Sequence, residues 1–177
     1  KDRIISFDQA AAKISDSGFH YYFDNFKGKS HYSMVTSAIP NALYSFFASY
    51  APITTSEYNE KIAPLSSGFV DYLTAKYVEM ESTLNMEVTI RQSDFRAIEA
   101  AILKNKAYDE LGKLADLAKK HYPKSMLSDY QRALMSEKTG NYKKAASSYM
   151  AAAQKDEIGP LTKGMMMDKV EEMKNMK

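Results

Sequence analysis

The sequence contains no cysteine, which excludes a disulfide framework, a cysteine-ligated zinc site and a thiol nucleophile. It also lacks an excess of either charge. The 24 Lys and Arg against 22 Asp and Glu leave a formal +2, so no strong field recruits nucleic acid or an anionic lipid surface. No apolar run approaches the roughly 18 residues a membrane helix needs, and no membrane span is expected. No Met or signal-like leader stands before Lys1. That absence points to a piece of a longer protein, with any signal peptide upstream. Localisation stays open, and a periplasmic or secreted site is compatible with such a leader. The residues present suggest neither a cofactor nor a metal set.

What is present is an ordinary globular balance, 45% hydrophobic and 26% charged, distributed unevenly. Of the 8 Phe and 13 Tyr, 11 fall in residues 1–53, whereas Met34 is the one methionine before residue 54. The segment Ala51-Pro52-Ile53-Thr54-Thr55-Ser56 reads as a hinge, because Pro removes a donor and the Thr/Ser cluster favours caps and turns. Two domains are expected, 1–53 and 54–177.

Residues 1–53 read helix, strand, loop, helix. Ser6 and Gln9 have capping-box spacing, Phe7, Ala10, Ala11 and Ile14 form a helical face, and Gly18 suits a left-handed stop. Residues 19–26, from Phe19 to Phe26, are dense in aromatics on both faces, which predicts a strand covered on both sides. After a polar loop over 27–33, a helix is expected near Ser37. Ile39, Leu43, Phe46, Phe47 and Tyr50 form its apolar stripe, and Pro40 falls in its first turn. A single strand is not a stable sheet. Strand 19–26 therefore pairs with a second copy or belongs with strands outside these residues, and the second is the biological expectation.

Residues 54–177 read as helical throughout. Leu65, Phe69, Tyr72, Leu73, Met80 and Leu84 trace one face. Phe95, Ile98, Ala101 and Ile102 trace another, with Ser93 as N-cap. A repeat follows: Tyr108 and Tyr142, Ala115 and Tyr149, and Ala118 and Ala152 are each 34 residues apart, with Asn105 and Asn141 in the preceding turns. Gly140, Tyr142, Ala145, Tyr149 and Ala152 resemble the turn, aromatic and small-residue positions of a tetratricopeptide motif. Met165, Met166, Met167 and Met173 suit an adaptable apolar cap on the array, or a methionine-rich groove.

Three histidines offer chemistry. His20 reads as a packed strand residue, and His121 as a cation suited to the end of a helix. His31 sits in a polar loop at the C-terminal edge of the expected strand, where α/β sheets gather ligands and catalytic groups.

The run Tyr22 to Val35, within Phe19–Tyr50, resembles the last strand, catalytic-histidine loop and final helix of a siderophore-esterase-like family. Its members are α/β-hydrolase-fold carboxylic-ester hydrolases. Ile4 to Asp8 resembles the preceding helix, and Tyr77–Asn85, Asn105–Tyr108 and His121–Ser125 are similar to the helical extension of such enzymes. With the repeat, the resemblance gives a mainly α expectation: a helical-hairpin, tetratricopeptide-like array preceded by what the resemblance implies is a helix–strand–helix remnant of an α/β-hydrolase sheet. It implies His31 as the general base of a serine triad. The family usually has a small residue after that histidine, where this chain has Tyr32.

The nucleophile and acid would lie upstream of Lys1, although Asp2 is close enough to the start to be considered. No Gly-x-Ser-x-Gly occurs, and Leu65-Ser66-Ser67-Gly68 lacks the leading glycine of a nucleophile elbow. The expectation is thus a C-terminal esterase fragment, inactive alone. Its implied partners are an upstream hydrolase domain and, in the full-length enzyme, a small ester substrate. The alternative is a stand-alone tetratricopeptide-like interaction module without catalysis.

Overall fold

A computed structural model describes the chain except Lys1, Ser17, Gly18, His20 and Lys177, and the side chain of Asp2. The stop expected at Gly18 and the packed histidine expected at His20 lie outside the described residues. The chain divides into two compact units, Lys1–Ala51 and Pro52–Lys177. Among the described residues it is mainly α, with no strand and only two isolated bridges, Ser125 with Asp156 and Ile158 with Leu161.

In the first unit, α1 (Asp2–Ala11) already runs through Ser6, so Ser6 is an interior helical residue and not the expected cap. Helix α2 (His31–Phe46) begins at His31 instead of near Ser37. The cause is local: Ser30 accepts from the Ser33 amide at 3.2 Å, and the Ser33 hydroxyl accepts from the Ser30 amide at 2.9 Å. This reciprocal pair satisfies two orphan donors of the first turn. Pro40 consequently lies inside the helix, where it removes one intrahelical donor. A 3-10 turn, Ala48–Tyr50, ends the unit.

The described residues of the expected strand 19–26 are irregular. With no second strand to accept a ladder, its polar groups turn to local partners. Tyr21 donates to Asp8 at 3.3 Å and packs edge-on against Phe7, while Asp24 accepts from Asn41 at 2.8 Å. The helix–strand–helix remnant of a hydrolase sheet is thereby corrected to helix, irregular segment, helix.

The second unit is a helical array. Thr54 caps the single turn α3 (Thr55–Glu57) by accepting from the Glu57 amide at 3.1 Å, and a π-helical turn, Tyr58–Ile62, follows. Then come α4 (Phe69–Leu84), α5 (Gln92–Asn105), α6 (Glu110–His121), α7 (Leu127–Lys138), α8 (Tyr142–Ala152) and α9 (Lys163–Asn175). Each helix from α6 to α8 packs along the next. The apolar periodicity lands in the core as the spacing demands: Phe95, Ile98, Ala101 and Ile102 of α5 are all fully buried.

The 34-residue offset is expressed in burial and in capping. Leu111 and Ala145, Ala115 and Tyr149, and Ala118 and Ala152 are all fully buried. Alanine at these places lets neighbouring helices approach, and the Tyr149 ring fills the space left between them. At the end of α5, Lys106 takes a left-handed conformation (φ 57°), with Ala107 N–H donating to Ile102 O at 3.0 Å and Lys106 N–H to Leu103 O at 3.3 Å. Thirty-four residues later Gly140 does the same at the end of α7 (φ 78°), with Asn141 N–H donating to Ser136 O and Gly140 N–H to Glu137 O. Both turns satisfy carbonyls that a helix end leaves without partners. Asn105, expected in a turn, is the last residue of α5 and donates to Ala101 O at 3.0 Å.

Candidate functional site

A recess of about 200 Å³ opens in the second unit between α5, α7 and the segment leading into α9. Gln92, Arg96 and Glu99 line it from α5, and Leu127 and Tyr130 from α7. Its far wall is a tight turn, Ile158-Gly159-Pro160-Leu161, in which Ile158 and Leu161 exchange backbone hydrogen bonds at 3.2 and 3.0 Å. Gly159 has φ +56°, and a Cβ there would come within 2.9 Å of Gln92 Oε1. Glycine thus serves the turn, and the contact a Cβ would meet is the flexible end of the exposed Gln92 side chain. The turn is pinned to the start of α7, because Met126 N–H donates to Asp156 O at 2.9 Å and Asp156 N–H to Lys124 O at 3.2 Å.

The polar side of the recess centres on Glu99. Its carboxylate accepts from the Tyr130 hydroxyl at 3.1 Å and from Gln131 Nε2 at 3.4 Å. Burial pushes the Glu99 carboxyl above the usual carboxylate range, against the lowering effect of those bonds and the nearby Arg96 charge. Burial, with the Glu99 charge beside it, pushes the Tyr130 phenol up as well. Gln131 is fully buried, and its Oε1 has no hydrogen-bond partner among the described residues. Leu127, Ile158 and Leu161 supply buried apolar wall, while Met165 is 45% exposed. Such a recess can take one apolar side chain while its polar margin meets main-chain amides. Among the described residues no group of three or more His, Cys, Asp or Glu could hold a metal ion.

A second, polar depression at Glu57, Tyr72 and Lys76 is internally satisfied. Glu57 accepts from Lys76 at 2.9 and 3.0 Å and from Tyr72 at 2.9 Å. Burial raises the Glu57 carboxyl but those bonds outweigh it and hold it low, while burial and Glu57 push the Tyr72 phenol up to about 12.

The histidines sit elsewhere. His31 is the first residue of α2, exposed, with its ring edge-on to Tyr32 at 5.7 Å. Among the described residues no hydrogen bond joins its ring to a serine or a carboxylate. The Asp2 side chain lies outside the described residues. His121 ends α6 half-buried, and its Nδ1 accepts from the Ile90 amide at 3.4 Å. Burial, helped by the Lys120 charge, holds its pKa below the ordinary histidine value. An acceptor nitrogen is a neutral imidazole, so the helix-end cation expected there is corrected to a half-buried hydrogen-bond acceptor. In α9, Met166 and Met173 enter the core, whereas Met165 and Met167 remain exposed.

Glu99 and Gln131, which organise the recess, carried a readable signal. Glu99 lies four residues after Phe95 and three before Ile102, and Gln131 four after Leu127 and three before Leu134. Polar residues in an apolar helical register mark buried polar contacts.

No protein-family model matches the chain, and no curated protein matches it. In its fold the chain is similar to the crystal structure of an uncharacterised protein from Capnocytophaga ochracea DSM 7271. The TM-score is 0.82 at 26% sequence identity, over 98% of this chain and 49% of that one. The chain thus spans about half the length of that protein. These findings overturn the resemblance to siderophore esterases. The fold shared over nearly the whole chain is that of an uncharacterised protein, and no strand of an α/β-hydrolase sheet exists among the described residues. The upstream hydrolase domain and the ester substrate are left without support. None of the helices among the described residues is long and apolar enough to cross a membrane.

Proposed function

We propose that residues 52–177 form a tetratricopeptide-like interaction module that holds an extended polypeptide segment in the recess between α5, α7 and the Ile158–Leu161 turn. The observation that carries this reading is the composition of the walls. The recess is bounded by α5 and α7, the first helices of two successive hairpins, and both present side chains to the same opening. The 34-residue recurrence of buried positions and helix ends supports the hairpin assignment. An apolar side chain of the ligand inserts beside Leu127, Leu161 and Met165. The exposed Gln92 and Arg96 at the margin meet its main chain. Full burial of one such side chain contributes about 1.5–3 kcal/mol, enough to select among side chains and too little for tight binding by itself.

The test is a selection of displayed random 12-residue peptides on the intact chain, followed by fluorescence anisotropy with the selected sequences. Met165→Glu places a carboxylate on an exposed part of the wall. It should weaken the selected peptides at least about tenfold without changing the melting temperature. Peptides that bind the Met165→Glu and Arg96→Ala variants as tightly as the parent would overturn the assignment.

A further inference from the structure

The first unit, Lys1–Ala51, has almost no interior. Among its described residues Ala11 is the one that is buried, and α2 buries none. Its large apolar side chains face outward instead. Leu43, Phe46 and Phe47 on and just after α2 are 51%, 72% and 54% exposed, and Phe7 on α1 is 65% exposed. The stripe at Ile39, Leu43, Phe46, Phe47 and Tyr50 has the spacing of a helix made to be covered along one side. Apolar surface of this extent, on a segment too small to form a core of its own, marks an interface.

From this we infer that the apolar side of α2 is an intramolecular docking surface, covered by further polypeptide of the same protein outside these 177 residues. The similar protein from Capnocytophaga supplies the argument for that occupant. The match extends over 98% of this chain, so it includes the first unit, yet accounts for only 49% of the other chain. The Capnocytophaga protein thus joins this unit to about as much polypeptide again. Covering the stripe from within one chain spares it the aggregation that an exposed apolar face invites.

Hydrogen exchange and light scattering should be compared between the 177-residue chain and the polypeptide encoded by its complete reading frame. Both should be monomers. The α2 amides should exchange near the unprotected rate in the short chain and at least about 100-fold more slowly in the long one, with α4 to α9 protected in both. Leu43→Asp should lower the melting temperature of the long polypeptide by several degrees and leave that of the short chain unchanged. A dimeric short chain with slowed α2 amides would assign the surface to a second copy and overturn the inference. So would equal α2 exchange in both polypeptides, or a reading frame that adds nothing.

Discussion

Glu110 of α6 caps α4: its carboxylate accepts the Val70 N–H at 3.1 Å, forty residues back along the chain, and the Gly68 N–H at 2.5 Å. Gly68 has no side chain to cap α4 itself, so a neighbouring helix places a negative group where unpaired amides and the helix dipole favour one. Because Glu110 and Val70 are buried, its removal leaves the Val70 amide without either a partner or water. Glu110→Ala should destabilise the second unit by about 1–3 kcal/mol in urea unfolding. Glu110→Gln keeps one acceptor oxygen and should recover part of the loss.

Lys106 and Gly140 occupy equivalent left-handed positions 34 residues apart. A side chain in that conformation costs roughly 1–2 kcal/mol that glycine does not incur, partly offset by the greater freedom of glycine in the unfolded chain. Lys106→Gly should therefore raise the melting temperature, by an amount corresponding to about 0.5–1 kcal/mol. Lys106→Val, branched at Cβ, should lower it.

His121 gives the fold a dependence on mild acid. Burial holds its folded pKa below the ordinary histidine value of 6.5, so below that pH the unfolded chain takes up a proton that the folded chain resists. This contribution to stability is complete above pH 6.5 and is lost as pH falls through the depressed folded value. Thermal unfolding between pH 7.5 and 5 should show the decline, and His121→Gln should flatten it.

Glu99 has the opposite sign. Its folded carboxyl is raised above 4.5 by burial, so the folded chain binds the proton more readily, and stability falls as pH rises from 4.5 through the folded value. Glu99→Gln keeps an acceptor for Tyr130 and removes the buried charge. It should be at least as stable as the parent at pH 7, and the difference should shrink toward pH 4 in chemical denaturation.

The helices of the second unit were legible because their signals are local and mutually consistent. The spacing of Phe95, Ile98 and Ile102 needs no tertiary knowledge, nor does the offset from Tyr108 to Tyr142. The start of α2 lies earlier than its apolar spacing predicts because Ser30 and Ser33 cap it, a pair that reads equally as polar loop. The aromatic run at 19–26 shows no strand among its described residues because strand propensity describes a half-buried pleated surface, and the described residues offer no sheet to join. Groups that act across the sequence were hidden for another reason. Glu110 reaches Val70, and Asp94 accepts from Ile53 N–H at 3.1 Å and from the Tyr77 hydroxyl at 2.9 Å. Nothing in either local neighbourhood names its partner. The recess suffered the same way, since Glu99 and Tyr130 meet only when α5 and α7 pack.

The most direct test of the binding recess is methyl NMR of the chain labelled at methionine, titrated with a peptide from the displayed selection. Met165 lines the recess, whereas Met86 and Met150 are exposed elsewhere, at 56% and 38%. The account expects the Met165 methyl to shift and saturate with the peptide while Met86 and Met150 stay in place. A peptide that binds and shifts Met86 or Met150 with Met165 unmoved would contradict it.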